Sequence, residues 1–163
     1  MLNRSSRRIR AIVVQDSDRA VRAKQLAETV RSLGNYRWTG VYDVASKLVS
    51  IIAYSSALSG AYPGNSGPGA PDYPTFPITK GRTGSAIREK TTIVVGDVRA
   101  DPRYLTAFAN TLLEIIVAIV HPQSRAVIGT IDVESERANA FSTYDQELLE
   151  ECAGSALPLW VGN

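Results

Sequence analysis

"EIIVAIVHPQSRAVIGTIDVES", residues 114–135, consists of two nearly continuous apolar runs separated by the turn "HPQSR" at residues 121–125. Short runs rich in isoleucine and valine, bounded by a proline-containing turn, are typical of buried β-strands. A connection this short joins antiparallel neighbours, because parallel strands need a crossover of a dozen or more residues. We therefore predict that these two strands pair antiparallel in the interior of the domain.

Further strands are predicted on the N-terminal side of this pair. Residues 38–44 ("WTGVYDV") and 47–56 ("KLVSIIAYSS") carry β-branched and aromatic residues in short runs, which predicts a second hairpin, and residues 91–98 ("TTIVVGDV") predict one more strand. The loop at residues 59–75 is dense in glycine and proline. Neither of its flanks is long enough to form a separate core, so we interpret it as an insertion within one domain.

Helical spacing of apolar residues predicts a first helix over residues 16–33 and a closing helix over residues 142–157. Residues 81–90 ("GRTGSAIREK") suggest a glycine-opened turn followed by a short helix. This order of elements favours an α+β fold. We expect a central antiparallel sheet with the N- and C-terminal helices on one face. On the other face, small helices and loops would roof a pocket.

Length and charge limit the classes of function. The chain has 163 residues and a net charge of +2, too little to indicate nucleic-acid binding. We predict one domain at residues 16–163, preceded at residues 1–15 by a basic tail ("RSSRRIR") and a first apolar segment. A solvated, partly disordered terminus is the favoured interpretation of this tail, and binding to phosphates or anionic lipid is the alternative.

Location and redox chemistry follow from two further features. No apolar run approaches the ~20 residues of a membrane span. A single cysteine, Cys152, excludes an internal disulfide and suits a reducing compartment, so we predict a cytoplasmic protein without membrane association. Cys152 shares the apolar face of the closing helix with Leu148 and Leu149, which predicts a buried structural side chain.

The order "YRWTGVY", "ITKGRTGSA", "VGDV", "EIIVAI" and "GTIDVES", from about residue 36 to residue 160, resembles a GAF domain. Among GAF domains it is most similar to the free methionine-(R)-sulfoxide reductases. Those enzymes use cysteines, because a thiolate attacks the sulfoxide sulfur and a second cysteine resolves the sulfenic acid. The resemblance places the family's cysteine positions at Tyr73, Thr83 and Ala107. We therefore expect the reductase reaction to be absent.

The same resemblance implies a ligand site. In the family, acidic residues hold the amino group of a free amino acid, and these positions become Glu114, Asp132 and Glu134 here. The aromatic residues that frame the ligand's side chain become Trp38 and Tyr42.

The residues themselves support a shared site. Asp132 and Glu134 are two apart on a predicted strand, so both side chains leave the same face. Buried carboxylates repel one another and cost several kcal/mol each unless compensated, and a ligand ammonium would compensate them. The alternative is a solvated strand end at which Arg125 or Arg137 pairs with the carboxylates, with Glu114 capping the loop before its strand. For Trp38 and Tyr42, the alternative to contact with a ligand is packing in the core.

Other chemistry is weakly indicated. His121, the only histidine, has no second histidine or cysteine nearby, so we predict no metal and no cofactor. The spacing of Gly81 and Gly84 indicates a tight turn rather than a phosphate loop.

Three functions remain open. The first is a non-catalytic GAF domain that binds a small, amino-acid-like cationic ligand in an acidic pocket, with a sensory or regulatory role. The second is a reductase-like enzyme with altered chemistry. The third is a dimerisation module whose pocket is vestigial, with a homodimer formed through the terminal helices at residues 18–33 and 144–159.

Overall fold

A computed structural model describes residues 2–57, 70–104 and 111–162 of the chain. Its centre is a six-stranded antiparallel sheet with the strand order β3-β2-β1-β6-β5-β4. The strands are β1 (Trp38–Val44), β2 (Leu48–Ser56), β3 (Thr75–Pro77), β4 (Ile93–Val95), β5 (Leu113–Val120) and β6 (Val127–Ser135).

The two strands predicted from residues 114–135 are β5 and β6, and they pair antiparallel with Ile115 opposite Val133. The predicted hairpin of β1 and β2 is also present. β6 lies between β5 and β1, so it is a central strand, buried along almost its whole length.

The helices are α1 (Arg4–Val13), α2 (Arg19–Leu33), α3 (Gly81–Glu89), α4 (Thr143–Ala156) and the short α5 (Pro158–Val161). Ser142 begins α4 with a capping box, because its hydroxyl accepts from the Asp145 N–H while the Asp145 carboxylate accepts from the Ser142 N–H. No helix within the described residues is long and apolar enough to cross a membrane.

The prediction of a partly disordered N-terminal tail is wrong for residues 4–13, because these residues form α1. Asn3 caps this helix by accepting from the Ser6 N–H at 2.8 Å, and Ile9 and Val13 are fully buried in the core. The physical reason is amphipathicity. The apolar side chains face α2 and α4, while the arginines of the "RSSRRIR" segment point to solvent, so the charge that suggested a tail is only the outer face of a packed helix.

The two faces of the sheet carry different clusters. One face packs against α1, α2 and α4 in a large apolar core that includes Ile131, Val133 and Cys152. Burial raises the pKa of the Cys152 thiol to about 11, which keeps it protonated as a structural side chain. On the other face lie an aromatic cluster and a small aliphatic cluster beside α3. The predicted α+β fold, with the terminal helices on one face, is confirmed.

Candidate functional site

Strand alternation and register bring three carboxyl groups together on the face beside α3. Asp132 and Glu134 leave the same face of β6, and Glu114 on β5 lies directly opposite Glu134. Trp38 on β1 lies opposite Glu134 from the other side. The exposed fractions of Glu114, Asp132 and Glu134 are only 7%, 4% and 1%.

Hydroxyl groups, rather than basic side chains, contact these carboxyls. The Thr83 hydroxyl donates to Asp132 Oδ2 at 3.1 Å, and the Thr111 hydroxyl donates to Glu134 Oε2 at 2.6 Å. The other oxygen, Asp132 Oδ1, is buried and accepts no hydrogen bond of standard geometry from the described residues, although the neighbouring Thr130 hydroxyl, itself buried without such a bond, lowers the pKa of Asp132. A buried acceptor without a well-placed donor is costly, so a group that donated to this atom would stabilise the ionised carboxylate.

The predicted alternative partners lie elsewhere. Arg137 donates through Nη2 to the Gly34 carbonyl at 3.0 Å, and Arg125 lies in the turn between β5 and β6. Within the described residues, no ion pair joins either arginine to the three carboxyls. The cluster is therefore not the solvated end of a strand.

Burial makes these acids hold their protons near neutral pH. It raises the pKa of Asp132 to about 7, an effect that the neighbouring Thr130 and Thr83 hydroxyls partly offset. It raises the pKa of Glu134 to about 8, with the Thr111 hydroxyl opposing and the charge of Asp132 reinforcing the shift. The pKa of Glu114 is raised well above its ordinary value, first by burial and then by the charges of Glu134 and Asp132. A cation placed among them would displace protons.

Aromatic rings form a second wall. The ring centroids of Trp38 and Tyr42 are 6.4 Å apart, and Phe76 meets Tyr42 edge-on at 5.9 Å. Gly40, between them on β1, makes this arrangement possible, because a Cβ there would lie 2.2 Å from Cη2 of Trp38. Trp38 and Tyr42 are buried in an apolar cluster, as the core-packing alternative predicts, and they also line the cavity. Their role in framing a ligand stays a prediction.

The acids and the rings enclose one cavity of about 30 Å³. All five predicted site residues line it, together with Pro71, Tyr73, Phe76, Gly81, Arg82 and Thr83. Of these six, Tyr73 and Thr83 are the family's cysteine positions and Gly81 belongs to the predicted turn, whereas Pro71, Phe76 and Arg82 were not selected from the sequence. Because this volume counts only the space open to the centre of a water molecule, it holds about two water molecules. A larger ligand must therefore extend outward past the cavity wall.

Arg82 is the main feature that sequence reasoning missed. It stands between Gly81 and Gly84, where only the glycines attracted attention. Its Nε lies 3.2 Å from Asp101 Oδ2, and its charge opposes the rise in the pKa of Glu114. The cavity therefore contains one basic side chain as well as three acids.

The family's cysteine positions have different outcomes. Thr83 lies in the cavity and binds Asp132, Tyr73 lines the cavity with 49% of its surface exposed, and Ala107 lies outside the described residues. The tight-turn interpretation of the glycines fits the backbone. Gly81 has φ 65°, and a Cβ on Gly84 would lie 2.8 Å from the carbonyl carbon of Thr79.

His121 acts in a turn. Its Nδ1 accepts from the N–H groups of Gln123 and Ser124, both at 3.2 Å. Within the described residues, no group of three or more His, Cys, Asp or Glu side chains has the arrangement of a metal site.

A sequence model of the GAF domain matches residues 18–156. The chain belongs to the GAF domain family. Its fold is similar to that of the free methionine-R-sulfoxide reductase from Neisseria meningitidis in complex with its substrate, with 23% identity, a TM-score of 0.77 and coverage of 96% of this chain and 86% of that one.

Two further solved GAF-type structures are similar. A putative GAF sensor protein from Burkholderia vietnamiensis has 23% identity, a TM-score of 0.76 and coverage of 94% and 89%. The reduced form of the Staphylococcus aureus free methionine sulfoxide reductase has 20% identity, a TM-score of 0.75 and coverage of 96% and 92%. No curated protein sequence matches this chain. At these identities the similarity shows the fold alone.

Proposed function

We propose that this GAF domain binds a small, amino-acid-like cationic ligand in its acidic cavity, does not turn it over, and has a sensory or regulatory role. The observation that carries the proposal is the triad of Glu114, Asp132 and Glu134, three buried acids that line one cavity; Asp132 Oδ1 accepts no hydrogen bond of standard geometry from the described residues.

Energetics favour a cation with N–H donors at this point. Three carboxyls withdrawn from water lose several kcal/mol of hydration each when ionised, and they repel one another. An ammonium group supplies a positive charge and three donors, which is the number of acids that face it. An ammonium group is close to water in size, so it suits the cavity of about 30 Å³.

The aromatic wall supports a ligand with an apolar portion. Trp38 and Tyr42 offer ring faces for a cation–π contact or for an aliphatic chain. Tyr73 is half exposed, so the cavity meets solvent there, and the rest of the ligand would leave in that direction.

The substitutions at the cysteine positions support binding without reduction. Threonine and tyrosine hydroxyls do not cycle through a sulfenic acid, and alanine has no reactive atom. Thr83 also donates its hydroxyl to Asp132, which makes it part of the binding wall. We expect no reduction of free methionine sulfoxide in the presence of a thiol reductant. Measurable turnover would favour the altered-enzyme alternative.

Binding is tested by thermal shift of the purified protein against free amino acids, methionine sulfoxide and simple primary amines. A ligand at 100 times its Kd adds about 2.7 kcal/mol to the free energy of unfolding. Glu134→Gln should abolish the shift, whereas Glu147→Gln, the same change on an exposed part of α4, should keep it. The proposal fails if no cationic compound raises the Tm, or if both variants respond alike.

The pH dependence of binding gives a second test. Because Asp132 and Glu134 are protonated below about pH 7 and pH 8, a cation must displace those protons to bind. We therefore expect the ligand-induced rise in Tm to be larger at pH 8.5 than at pH 6. A shift that is the same at both pH values would mean that the ligand does not engage these acids.

The dimerisation alternative gains no comparable support. Among the described residues of α2 and α4, the exposed large hydrophobic side chains are Val21 and Tyr144, which are too few for an apolar stripe. A homodimer through these helices stays a prediction.

A further inference from the structure

The helix α3 has a second face that points away from the acidic cavity. Ser85 and Arg88 follow Gly81 by four and seven residues, so the three positions lie on one side of the helix. They line a separate open cleft of about 350 Å³. The cleft is completed by Thr79, Lys80, Pro102, Arg103 and Tyr104.

The charge of this cleft is opposite to that of the acidic cavity. Lys80, Arg88 and Arg103 line it, and none of the described lining residues is acidic. Helix α3 therefore lies between a cavity lined by three acids and a cleft lined by three bases. The two share only Gly81 among the described residues that line them.

Neighbouring acids neutralise the cleft only in part. Asp101 contacts two guanidinium groups at once, Arg103 at 3.1 Å and Arg82 at 3.2 Å, so one negative charge serves two positive ones. Arg88 lies 3.4 Å from Glu89, but both side chains are largely exposed, and an ion pair of this kind contributes little. Positive charge remains in excess around the cleft.

Hydroxyl groups add neutral hydrogen-bonding capacity. Ser85 is almost fully buried, and its oxygen accepts from Arg82 Nη1 at 3.2 Å. This hydrogen bond leaves the hydroxyl proton of Ser85 without an acceptor among the described residues. Thr79 lines the same cleft. Bases combined with hydroxyl donors match a polyatomic anion with several acceptor oxygens better than a halide.

We propose that this cleft binds a small phosphate-bearing anion, either inorganic phosphate or a phosphate monoester. A phosphate group carries close to two negative charges at neutral pH, and its oxygens accept from the guanidinium fork of arginine. The cleft is open to solvent and large enough for a phosphate with an organic substituent. This site is independent of the proposed cation site.

Calorimetric titration of the whole protein with inorganic phosphate and with glycerol 3-phosphate, at constant ionic strength set with chloride, tests the proposal. The variants are Lys80→Gln, Arg88→Gln and the matched control Arg8→Gln, an exposed arginine on α1 that carries the same charge. Each variant lowers the net charge of +2 by one. Circular dichroism and Tm establish that each one is folded.

Saturable binding to the wild type and Arg8→Gln, weakened about tenfold or more in Arg88→Gln and Lys80→Gln, is the expected result, because each lost base removes a charge-assisted hydrogen bond. Tighter binding of glycerol 3-phosphate would identify the ligand as a monoester, and equal binding would identify the phosphate group itself. The proposal is overturned if neither compound binds saturably, if acetate binds as well as phosphate, or if Arg8→Gln weakens binding as much as Arg88→Gln.

Discussion

The two faces of strand β6 carry opposite chemistry. Ile131 and Val133 point into the core beneath α1, α2 and α4, whereas Asp132 and Glu134, their neighbours in sequence, point into the acidic cavity. All four side chains are buried. The same burial therefore stabilises the fold on one face, and on the other it raises the free energy of two carboxyl groups.

Strand β5 repeats this division. Ile115 and Val117 join the large core, while Glu114 joins the acids. Because side chains alternate along a strand, the apolar face that packs against the helices and the face that carries the acids share the same backbone without sharing side chains. The apolar core on the side of the sheet that packs against the helices, here called the helical face, stabilises the fold. This stabilisation offsets the cost of burying acids that have no basic partner in an ion pair among the described residues.

The first way to test this division is to titrate the unliganded protein. The folded-state pKa values of Asp132 and Glu134, about 7 and about 8, lie above those of the unfolded chain. Their contribution is fully present below about pH 4 and is lost as the pH rises through 7 and 8. We expect the free energy of unfolding, measured with urea, to fall by on the order of 5 kcal/mol between pH 5 and pH 8.

Glu134→Gln serves as the control for this titration, because an amide cannot ionise. It should be more stable than the wild type at pH 8 and close to it at pH 5, with a shallower pH dependence between them. A wild-type stability that is flat or rises over this range would contradict the buried-acid description.

On the helical face, Ile115→Ala is expected to lower the free energy of unfolding by about 2–5 kcal/mol, because it removes buried methyl groups and leaves a cavity in the large core. Urea denaturation at pH 5 measures this loss without interference from the acids. Ile115→Val should cost only about 0.5–1.5 kcal/mol. If Ile115→Ala costs no more than Ile115→Val, the helical face is not the main source of stability.

Two glycines allow the faces to be compared with one chemical change. A Cβ on Gly40 would lie 2.2 Å from the Trp38 ring beside the acidic cavity, and a Cβ on Gly129 would lie 2.2 Å from the Trp160 ring on the helical side. Each alanine variant should lose about 1–3 kcal/mol through overpacking.

Ligand binding should separate these two variants. Gly40→Ala displaces a ring that lines the cavity, so it should also abolish the ligand-induced thermal shift, which Gly129→Ala should keep. Equal losses of binding would mean that overpacking damages the whole domain and not one face.

These contrasts also explain how much of the molecule the sequence predicts. The strands and the alternation of Ile131, Asp132, Val133 and Glu134 follow from local periodicity, which needs no tertiary information. Helix α1 was missed because its arginines made the segment look like a solvated tail. Its apolar side chains are buried only because α2 and α4 pack against them. Charge density is a weak guide to disorder when the apolar residues keep a helical period.

The acids of the site were predictable, but their surroundings were not. Glu114 and Glu134 are twenty residues apart, and the register of β5 and β6 sets them opposite each other. Phe76 lines the cavity and Thr111 donates to Glu134 through tertiary contacts that no motif in the chain marks. Arg82 lies inside the motif "ITKGRTGSA", but the motif drew attention to its glycines only. Sequence reasoning placed the three acids together and missed both Arg82 and the hydroxyl groups that donate to the acids.

Thr83→Val gives the smallest and most local test of the comparison. It removes one hydroxyl donor to Asp132 and retains the shape of the side chain. We expect the free energy of unfolding at pH 8 to fall by about 1 kcal/mol. We also expect a further rise in the pKa of Asp132, which carboxyl-carbon NMR can measure. Because Thr83 stabilises the ionised form, the loss should shrink at pH 5, where Asp132 is protonated in both variants. If the loss of stability is the same at pH 5 and pH 8, Thr83 contributes through packing. The Thr83 hydroxyl would then not be a donor to the ionised carboxylate of Asp132.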